Sequence, residues 1–422
     1  MESSRLSLHA NDMTMQFIDF DALRDGANRL AVSFSAREAT ESMEHLPSAL
    51  PEAPRQLQAT IDALAPIVLG GARRLDHPGF FAHMDPPTPS IAWVMTLWNA
   101  AVNQNLLHPD TAPTARELEE RLMMWLCPFF GMAGGHMVPS STVANLEALW
   151  AARELAGIEE IVASSAAHLS VRKAAAILRV PFRTIDVDER QRLRPEELGD
   201  VRRSAVVLTA GTTSSGAIDP LDAAEDAAWR HVDAAWAGPL RLSERYADRL
   251  AGIEHADSIA VSGHKLLFQP KDSGLLFFRE AARAHAAISF EGAYLSAPNV
   301  GLMGSRGANA IPLLATLMSF GRSSMAELIE RCMSLAERFA LLVQASEEFQ
   351  LFAAPESGCV LWRPRATEPH VVIERLRDAV VSTTAINGIT WLRSVASNPF
   401  ADPEKVFRAA LASVQPHALT GA

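Results

Sequence analysis

The sequence predicts an α/β protein: a mostly parallel sheet covered by helices on both faces. Three observations point to it. Between about residues 90 and 320, short apolar runs alternate with longer stretches of helical spacing, the order that βαβ units require. The chain has 422 residues, 48% of them hydrophobic and 21% charged, so it can bury a large core and has the composition of an ordinary globular protein. The turns richest in small and hydroxyl residues follow the predicted strands, where such sheets place a ligand crevice.

Taken in order, residues 1 to about 70 carry scattered helical patterns such as Leu57, Ile61, Leu64 and Val68. They are too thinly apolar to form a core and are expected to pack on another surface. A Pro-rich connector runs from His77-Pro78 to Asp85-Pro86-Pro87-Thr88-Pro89. Helical patterns then lead into Gly131 to Gly135, followed by a helix from about Ser141 to Leu155 and a strand from Glu160 to Ala163. The next helix spans about His168 to Leu178. Strands are expected around Phe182 to Val187, Ala205 to Leu208, His231-Val232, Ile259 to Val261 and Leu275 to Phe278. After Arg322 a long helical pattern (Met325 to Leu342), the strand-like Cys359 to Trp362 and a helix from about Pro369 to Val380 suggest a small α+β unit.

A net charge of −11 argues against a nucleic-acid partner, because phosphate binding needs a basic face. No apolar run reaches membrane-spanning length, and Met1-Glu2-Ser3-Ser4 lacks the basic-then-apolar order of a signal peptide. Cys127, Cys332 and Cys359 are an odd number without ligand spacing, so neither a disulfide framework nor a metal site is expected, and a cytoplasmic setting is.

Five segments carry chemistry when read together. Val138-Pro139-Ser140-Ser141-Thr142 opens a helix, where hydroxyls cap free amides and the amides with the helix dipole suit a phosphate; simple capping is the plain alternative. His168 stands between a strand and a helix, either as a structural residue or as a ring able to stack on a flat heteroaromatic group. Thr209 to Gly216 ends a strand with small residues and hydroxyls that let backbone and ligand approach closely. In His231-Val232-Asp233-Ala234-Ala235-Trp236 a carboxylate follows a strand, and a pyridinium nitrogen is a fitting partner for a buried acid. Ser262-Gly263-His264-Lys265 places an amine between two apolar runs, where partial desolvation lowers its pKa and frees its lone pair. Phosphate cap, stacking ring, acid for a ring nitrogen and reactive amine together describe a pyridoxal 5′-phosphate site.

On these residues the sequence resembles the group II pyridoxal-phosphate-dependent amino-acid decarboxylases. This fold-type I family includes aromatic amino acid, glutamate and 2,4-diaminobutyrate decarboxylases. The resemblance runs from His77-Pro78-Gly79-Phe80-Phe81-Ala82-His83 to Leu392-Arg393 and Asn398-Pro399. Its most specific parts are the segment from His231 to Trp236, Gly211-Thr212-Thr213 with Gly216-Ala217-Ile218-Asp219-Pro220, and His264-Lys265. It implies a seven-stranded sheet, a small C-terminal α+β domain, and a homodimer with active sites at the subunit interface. Lys265 resembles the internal-aldimine lysine, Asp233 the partner of the pyridine nitrogen and His168 the stacking ring. Thr212 resembles the residue near the cofactor's 3′ oxygen, and Ala235 the residue against the other ring face. Ser141, Thr142, Ser262 and His264 resemble the phosphate and lysine-flanking positions.

The family also places a mobile-loop tyrosine beyond the lysine, reaching into the neighbouring site. Tyr294, one of only two tyrosines, lies in Gly292-Ala293-Tyr294-Leu295 and matches it as a proton donor to Cα; packing in a loop is the alternative. His83, Asp85, Asn103 and Arg306 fall where the family shapes its substrate pocket, with Gln104 beside them. Arg393 suits a carboxylate or an anchor for the small domain.

Two departures stand out. Ser140-Ser141 occupies the phosphate turn where members often have two glycines, and Gly307 to Pro312 replaces a basic and aromatic run. The organisation implied is an N-terminal helical dimerisation segment (1–75), a large cofactor-binding domain (76–322) and a small domain (323–422). The reaction implied is decarboxylation of an L-amino acid through the Lys265 aldimine and a quinonoid. Transamination, aldol-type cleavage and oxygen-dependent decarboxylative deamination are rivals at the same carbon, and a non-catalytic binding protein is a reading of another class.

Overall fold

Seven strands form the central sheet, in the order β1-β7-β6-β5-β4-β2-β3. They are β1 (Gly134–Val138), β2 (Glu160–Ser164), β3 (Phe182–Ile185), β4 (Ser204–Thr209), β5 (Trp229–Asp233), β6 (Ser258–Ser262) and β7 (Gly274–Phe278). Neighbours pair in parallel from β6 through β3, whereas β7 is antiparallel to both β6 and β1. The mostly parallel sheet expected from the sequence is therefore present. The computed structural model describes residues 19–35 and 40–415, and the Met1 to Ser4 reading lies outside them.

Both faces of the sheet are buried. Val162, Val206, Val232, Ile259 and Phe277 face one core; Ile161, Ala163, Val207, Ala260 and Leu276 face the other. Helices α5 (Ser141–Ala156) and α6 (Leu169–Leu178) cover the second face, contributing Ala144, Ala148, Leu149, Val171 and Ala175. The first is covered by α4 (Ala115–Phe130) and α8 (Ala310–Gln344), with Leu122, Leu126, Leu313 and Ile329. Strands buried on both sides lose the alternation of half-exposed ones and read as short apolar runs.

The chain forms two compact units, residues 1–74 and 75–422. In the first, α1 (Phe20–Ser35) and α2 (Leu57–Gly71) meet through an Arg29–Asp62 ion pair of 2.6 Å. The apolar side chains of Phe20, Val32 and Val68 are exposed. The second unit begins with α3 (Ser90–Val102), where Trp98 and Val102 are also exposed. After β7 come α7 (Ala281–Ala287) and a hairpin of β8 (Ser289–Phe290) and β9 (Asn299–Val300). The C-terminal part has an antiparallel sheet ordered β10 (Phe349–Leu351), β11 (Cys359–Pro364), β13 (Ile389–Val395) and β12 (Ser382–Ile386), flanked by α9 (Pro369–Arg375) and α10 (Pro403–Val414). Its core includes Phe339, Phe349 and Trp362, packed edge to face with centroids 4.9 to 5.6 Å apart.

Several element boundaries differ from the sequence expectation. Strand β1 forms from Gly134-Gly135-His136, which have little β preference, because β7 supplies the pairing partner along its whole length. Helix α8 begins at Ala310 rather than Met325 and turns sharply at Gly321, whose φ of 64° and ψ of 175° are not helical. Helix α9 ends at Arg375; Leu376 is extended, and Val380 bridges Phe80 instead. The sequence reading did not place strands β10, β12 and β13.

Candidate active site

The C-terminal ends of β2, β4, β5 and β6 and the turn after β1 converge on one edge of the sheet, which carries the segments singled out above. Asp233 is the last residue of β5 and is 4% exposed. Its Oδ1 accepts the Ala235 N–H at 3.1 Å and its Oδ2 accepts Asn145 Nδ2 at 2.9 Å. Asn145 lies on α5 one turn beyond Ser141, which places both on the same side of the helix.

A chain of buried hydrogen bonds orients this acid. Trp229 Nε1 donates to Ser258 Oγ at 2.8 Å, so the Ser258 hydroxyl is directed at His231 Nδ1, 2.9 Å away. His231 then carries its proton on Nε2 and donates to Asn145 Oδ1 at 2.9 Å. That leaves the Asn145 amino group facing both Asp233 and Ser170 Oγ, the latter at 2.8 Å. Ser170 in turn directs its proton at His168 Nδ1, also 2.8 Å away. The network thus selects a tautomer for each imidazole and turns an N–H toward Asp233. Burial pushes His231 down to about 4, so it stays neutral in its donor–acceptor role. His168 is also lowered, mainly by burial and secondarily by Lys265, with Asp233 opposing.

Lys265 follows β6 in a turn held by His264 and Ser273. The Ser273 carbonyl accepts from the Gly263 N–H at 2.8 Å and lies 3.1 Å from His264 Nδ1. Burial lowers the Lys265 amine first, and Arg393 adds to this, while Asp233, Cys359 and Asp85 act in the opposite sense. Asp233 thus acts on both Lys265 and His168, and Lys265 acts on His168, which puts the three side chains near one another. Among the described residues Lys265 Nζ has neither a hydrogen bond nor an ion pair, which is unusual for an ammonium held among charges. His264 is pushed down to about 4 by burial, with Lys271 and Lys265 adding to it.

The remaining residues fall into place around this group. Ser262 Oγ donates to Ser141 Oγ at 3.0 Å, joining the end of β6 to the first turn of α5. The Ser140 hydroxyl accepts the Val143 N–H at 3.4 Å as the helix cap, and Thr142 is half-buried in the same turn. Thr212 is fully buried, its Oγ1 2.8 Å from Ser215 Oγ and 3.1 Å from the Ala217 N–H. Asp219 closes that loop by accepting the Leu193 and Thr209 N–H groups, both at 2.7 Å, and burial raises it to about 6. Asp85 pairs with Lys271 beside Lys265. Arg393 is 7% exposed, and its charge acts on both Lys265 and Cys359.

Four expected residues are not brought into this group. Arg306 donates twice to the buried Glu119, at 2.5 and 2.9 Å, so its guanidinium anchors α4 rather than standing free for substrate. Tyr294 is 73% exposed between β8 and β9, its ring 6.2 Å from that of His108. Asn103 ends α3 with φ of 43° and lines a cavity of about 280 Å³ with Gln269 and Ser273. His83 is exposed in a left-handed turn. The sequence reading missed Asn145 and Ser170, and it gave His231 no role of its own. A polar residue among Ala144, Ala148 and Leu149 on a buried helix face was the available signal for Asn145.

The family model of the pyridoxal-dependent decarboxylase conserved domain matches residues 40–365. The chain belongs to that family. The decarboxylase is 31% identical over 405 residues to the L-2,4-diaminobutyrate decarboxylase of Rhizobium meliloti, covering 85% of this chain and 82% of that one. It is 32% identical over 321 residues to the probable L-tyrosine/L-aspartate decarboxylase of Methanothermobacter thermautotrophicus, covering 71% and 84%. Among solved structures, Oryza sativa TDC with PLP and tryptamine has the same fold, with a TM-score of 0.84 at 22% identity over 93% of this chain and 96% of that one. The protein is thus an amino-acid decarboxylase dependent on pyridoxal 5′-phosphate.

The residues at the sheet edge fit that cofactor. Arg393 Nε, Ser164 Oγ, Thr209 Oγ1 and Ser273 Oγ are buried without a hydrogen-bond partner, and Ser164 and Thr209 are the last residues of β2 and β4. An unpaired amine, an oriented buried acid and a hydroxyl-lined helix start have the chemistry to take an aldehyde, a ring nitrogen and a phosphate respectively.

Proposed function

We propose that this decarboxylase releases CO2 from a polar L-amino acid, with Lys265 tied to the cofactor's aldehyde, Asp233 facing its ring nitrogen and His168 lying against its ring. One arrangement carries the reading: Asp233, held at the end of β5 by Asn145 and Ala235, acts on both the Lys265 amine and His168, and that amine is otherwise unpartnered among the described residues. When bound, pyridoxal 5′-phosphate supplies an electron sink for the pair left behind as the bond from Cα to the carboxylate breaks.

The side chains of the protein select and steer that step. Burial favours the neutral amine of Lys265, which needs a lone pair to bond an aldehyde. Two N–H donors, from Asn145 and Ala235, hold Asp233 so that its charge faces the ring nitrogen without rotating away. The Ser141 and Ser262 hydroxyls and the amides of the first turn of α5 bind the phosphate. Arg393, a buried cation with an unpaired N–H whose charge acts on Lys265, would hold the substrate carboxylate. On this reading Tyr294, which is exposed on its loop, returns a proton to Cα in a neighbouring subunit's site.

A homodimer is supported by exposed apolar side chains in each unit, Phe20, Val32 and Val68 in the first and Trp98 and Val102 in the second. On this reading residues 1–75 serve dimerisation, 76–322 hold the cofactor and 323–422 form the small domain. Three free, buried cysteines support a cytoplasmic setting, and no helix among the described residues is long and apolar enough to cross a membrane. Asp85 and Lys271, which both perturb the turn carrying His264 and Lys265, support a short polar substrate.

The test is a screen of the protein amino acids and short diamino acids for evolved CO2, with L-2,4-diaminobutyrate included, followed by product analysis. CO2 with an equal amount of amine is expected; a keto acid, an aldehyde or peroxide as the main product overturns the reading. Lys265→Ala is expected to abolish turnover and the visible absorbance of bound cofactor, and a retained band refutes the lysine assignment.

A further inference from the structure

Helix α5 serves more than the cofactor site. Ser141 and Asn145 face that site, while Glu147 and Trp150 meet the hairpin of β8 and β9. Glu147 is 1% exposed, yet no lysine or arginine pairs with it among the described residues. Its Oε2 lies 2.7 Å from His136 Nε2, and His136 Nδ1 lies 3.1 Å from His285 Nε2. Its Oε1 accepts the Leu302 N–H at 2.8 Å. Gly301, with φ of 76°, brings the backbone so close that a Cβ there would sit 2.5 Å from a Glu147 oxygen.

These contacts grip the hairpin from both ends. His285 sits in α7 just before β8, and the Ser289 hydroxyl donates to its carbonyl at 2.5 Å. The hairpin pairs Ser289 with Val300 and Phe290 with Asn299, and Gly301 donates to the Ile288 carbonyl at 3.0 Å. Phe290 stacks on Trp150, one turn along α5 from Glu147, with centroids 5.9 Å apart. Between the strands runs the loop with Tyr294.

We propose that Glu147 is a positioning residue that latches this hairpin, through His136 and His285 on the incoming side and the Leu302 amide on the outgoing side, and so sets where Tyr294 stands. A buried carboxylate without a cation is costly, and an apolar side chain would fill the same space. What the carboxylate adds is two directional acceptors, one aimed at His136 on β1 and the other at the Leu302 amide just after β9. The carboxylate can only accept, so His136 Nε2 carries a proton, and burial keeps His285 neutral by lowering it to about 4. The functional part of the proposal rests on the assignment of Tyr294 above; the latch itself does not.

The experiment is amide hydrogen exchange of the cofactor-loaded enzyme, paired with steady-state turnover on the substrate found by the screen. In Glu147→Ala, exchange at residues 289–302 is expected to rise about 10- to 100-fold while β4 to β6 keep their protection. kcat should fall with KM little changed, and Glu147→Gln, which keeps the shape but only one of the two acceptors, should recover part of the protection and of kcat. Gly301→Ala approaches the same contact from the loop and should act alike even if Glu147→Ala fails to fold. Unchanged protection at 289–302 in Gly301→Ala overturns the latch, and so does loss of protection spread evenly through the sheet. If the hairpin loosens as expected while Tyr294→Phe turns over normally, the latch stands and the role of Tyr294 falls.

Discussion

Asn145→Ala is the most informative change in the cofactor site, because it removes one side chain that holds three others. Asn145 is fully buried and donates to Asp233 Oδ2 and Ser170 Oγ while accepting from His231 Nε2. Truncation leaves a buried imidazole N–H without an acceptor and a buried carboxylate oxygen without its donor. A neutral buried group left unpaired costs about 1–3 kcal/mol, and a hydrogen bond to a charged group is worth about 1.5–3 kcal/mol. Some relaxation or water entry recovers part of this, so a loss of about 3 kcal/mol in stability is expected. The cofactor-loaded enzyme should also hold pyridoxal 5′-phosphate roughly 10- to 100-fold more weakly, because Asp233 is freer to turn from the ring nitrogen. Denaturant unfolding of the apoprotein reads the first quantity and an absorbance titration with cofactor the second. Asn145→Asp separates charge from shape: a second acid beside Asp233 should weaken cofactor binding more than alanine does. An unfolding midpoint and an affinity both equal to wild type would refute the network.

Two further outcomes follow from buried groups near the same edge. His231 is held at about 4 against an ordinary value of 6.5, so its contribution to stability is complete above pH 6.5 and is lost as pH falls toward 4, by roughly 3 kcal/mol. Asp219, raised to about 6, works the other way, its contribution being present at low pH and lost as pH rises through 6. His231→Gln should therefore flatten the acid fall of the unfolding midpoint between pH 6.5 and 4, and an identical slope counts against the assignment. Gly274→Ala would place a Cβ 2.7 Å from the Ser140 carbonyl carbon, against backbone that cannot swing aside. It should cost about 1–3 kcal/mol and weaken cofactor retention by displacing the first turn of α5; wild-type stability and affinity would show that this approach is not tight.

Much of the site was legible because its pieces are local in sequence. A hydroxyl-rich helix start, an acid ending a strand, and a lysine between two apolar runs are each read within a few residues, and the sheet's doubly buried strands leave the same kind of mark. Residues whose roles depend on distant partners were not legible. Asn145 looks like any polar residue in a helix until β5 delivers Asp233 and His231 beside it, 88 and 86 positions away. Arg306 looks like a free cation until Glu119, 187 positions earlier, takes its guanidinium.

The sequence by itself determined the alternation of strands and helices and the cofactor class, because short-range spacing carries that information. Only the tertiary structure decided which buried groups share protons, which arginine is already paired, and how one helix serves both the cofactor acid and a distant hairpin. Those depend on contacts between segments far apart in the chain, and a single sequence holds no record of which segments will meet.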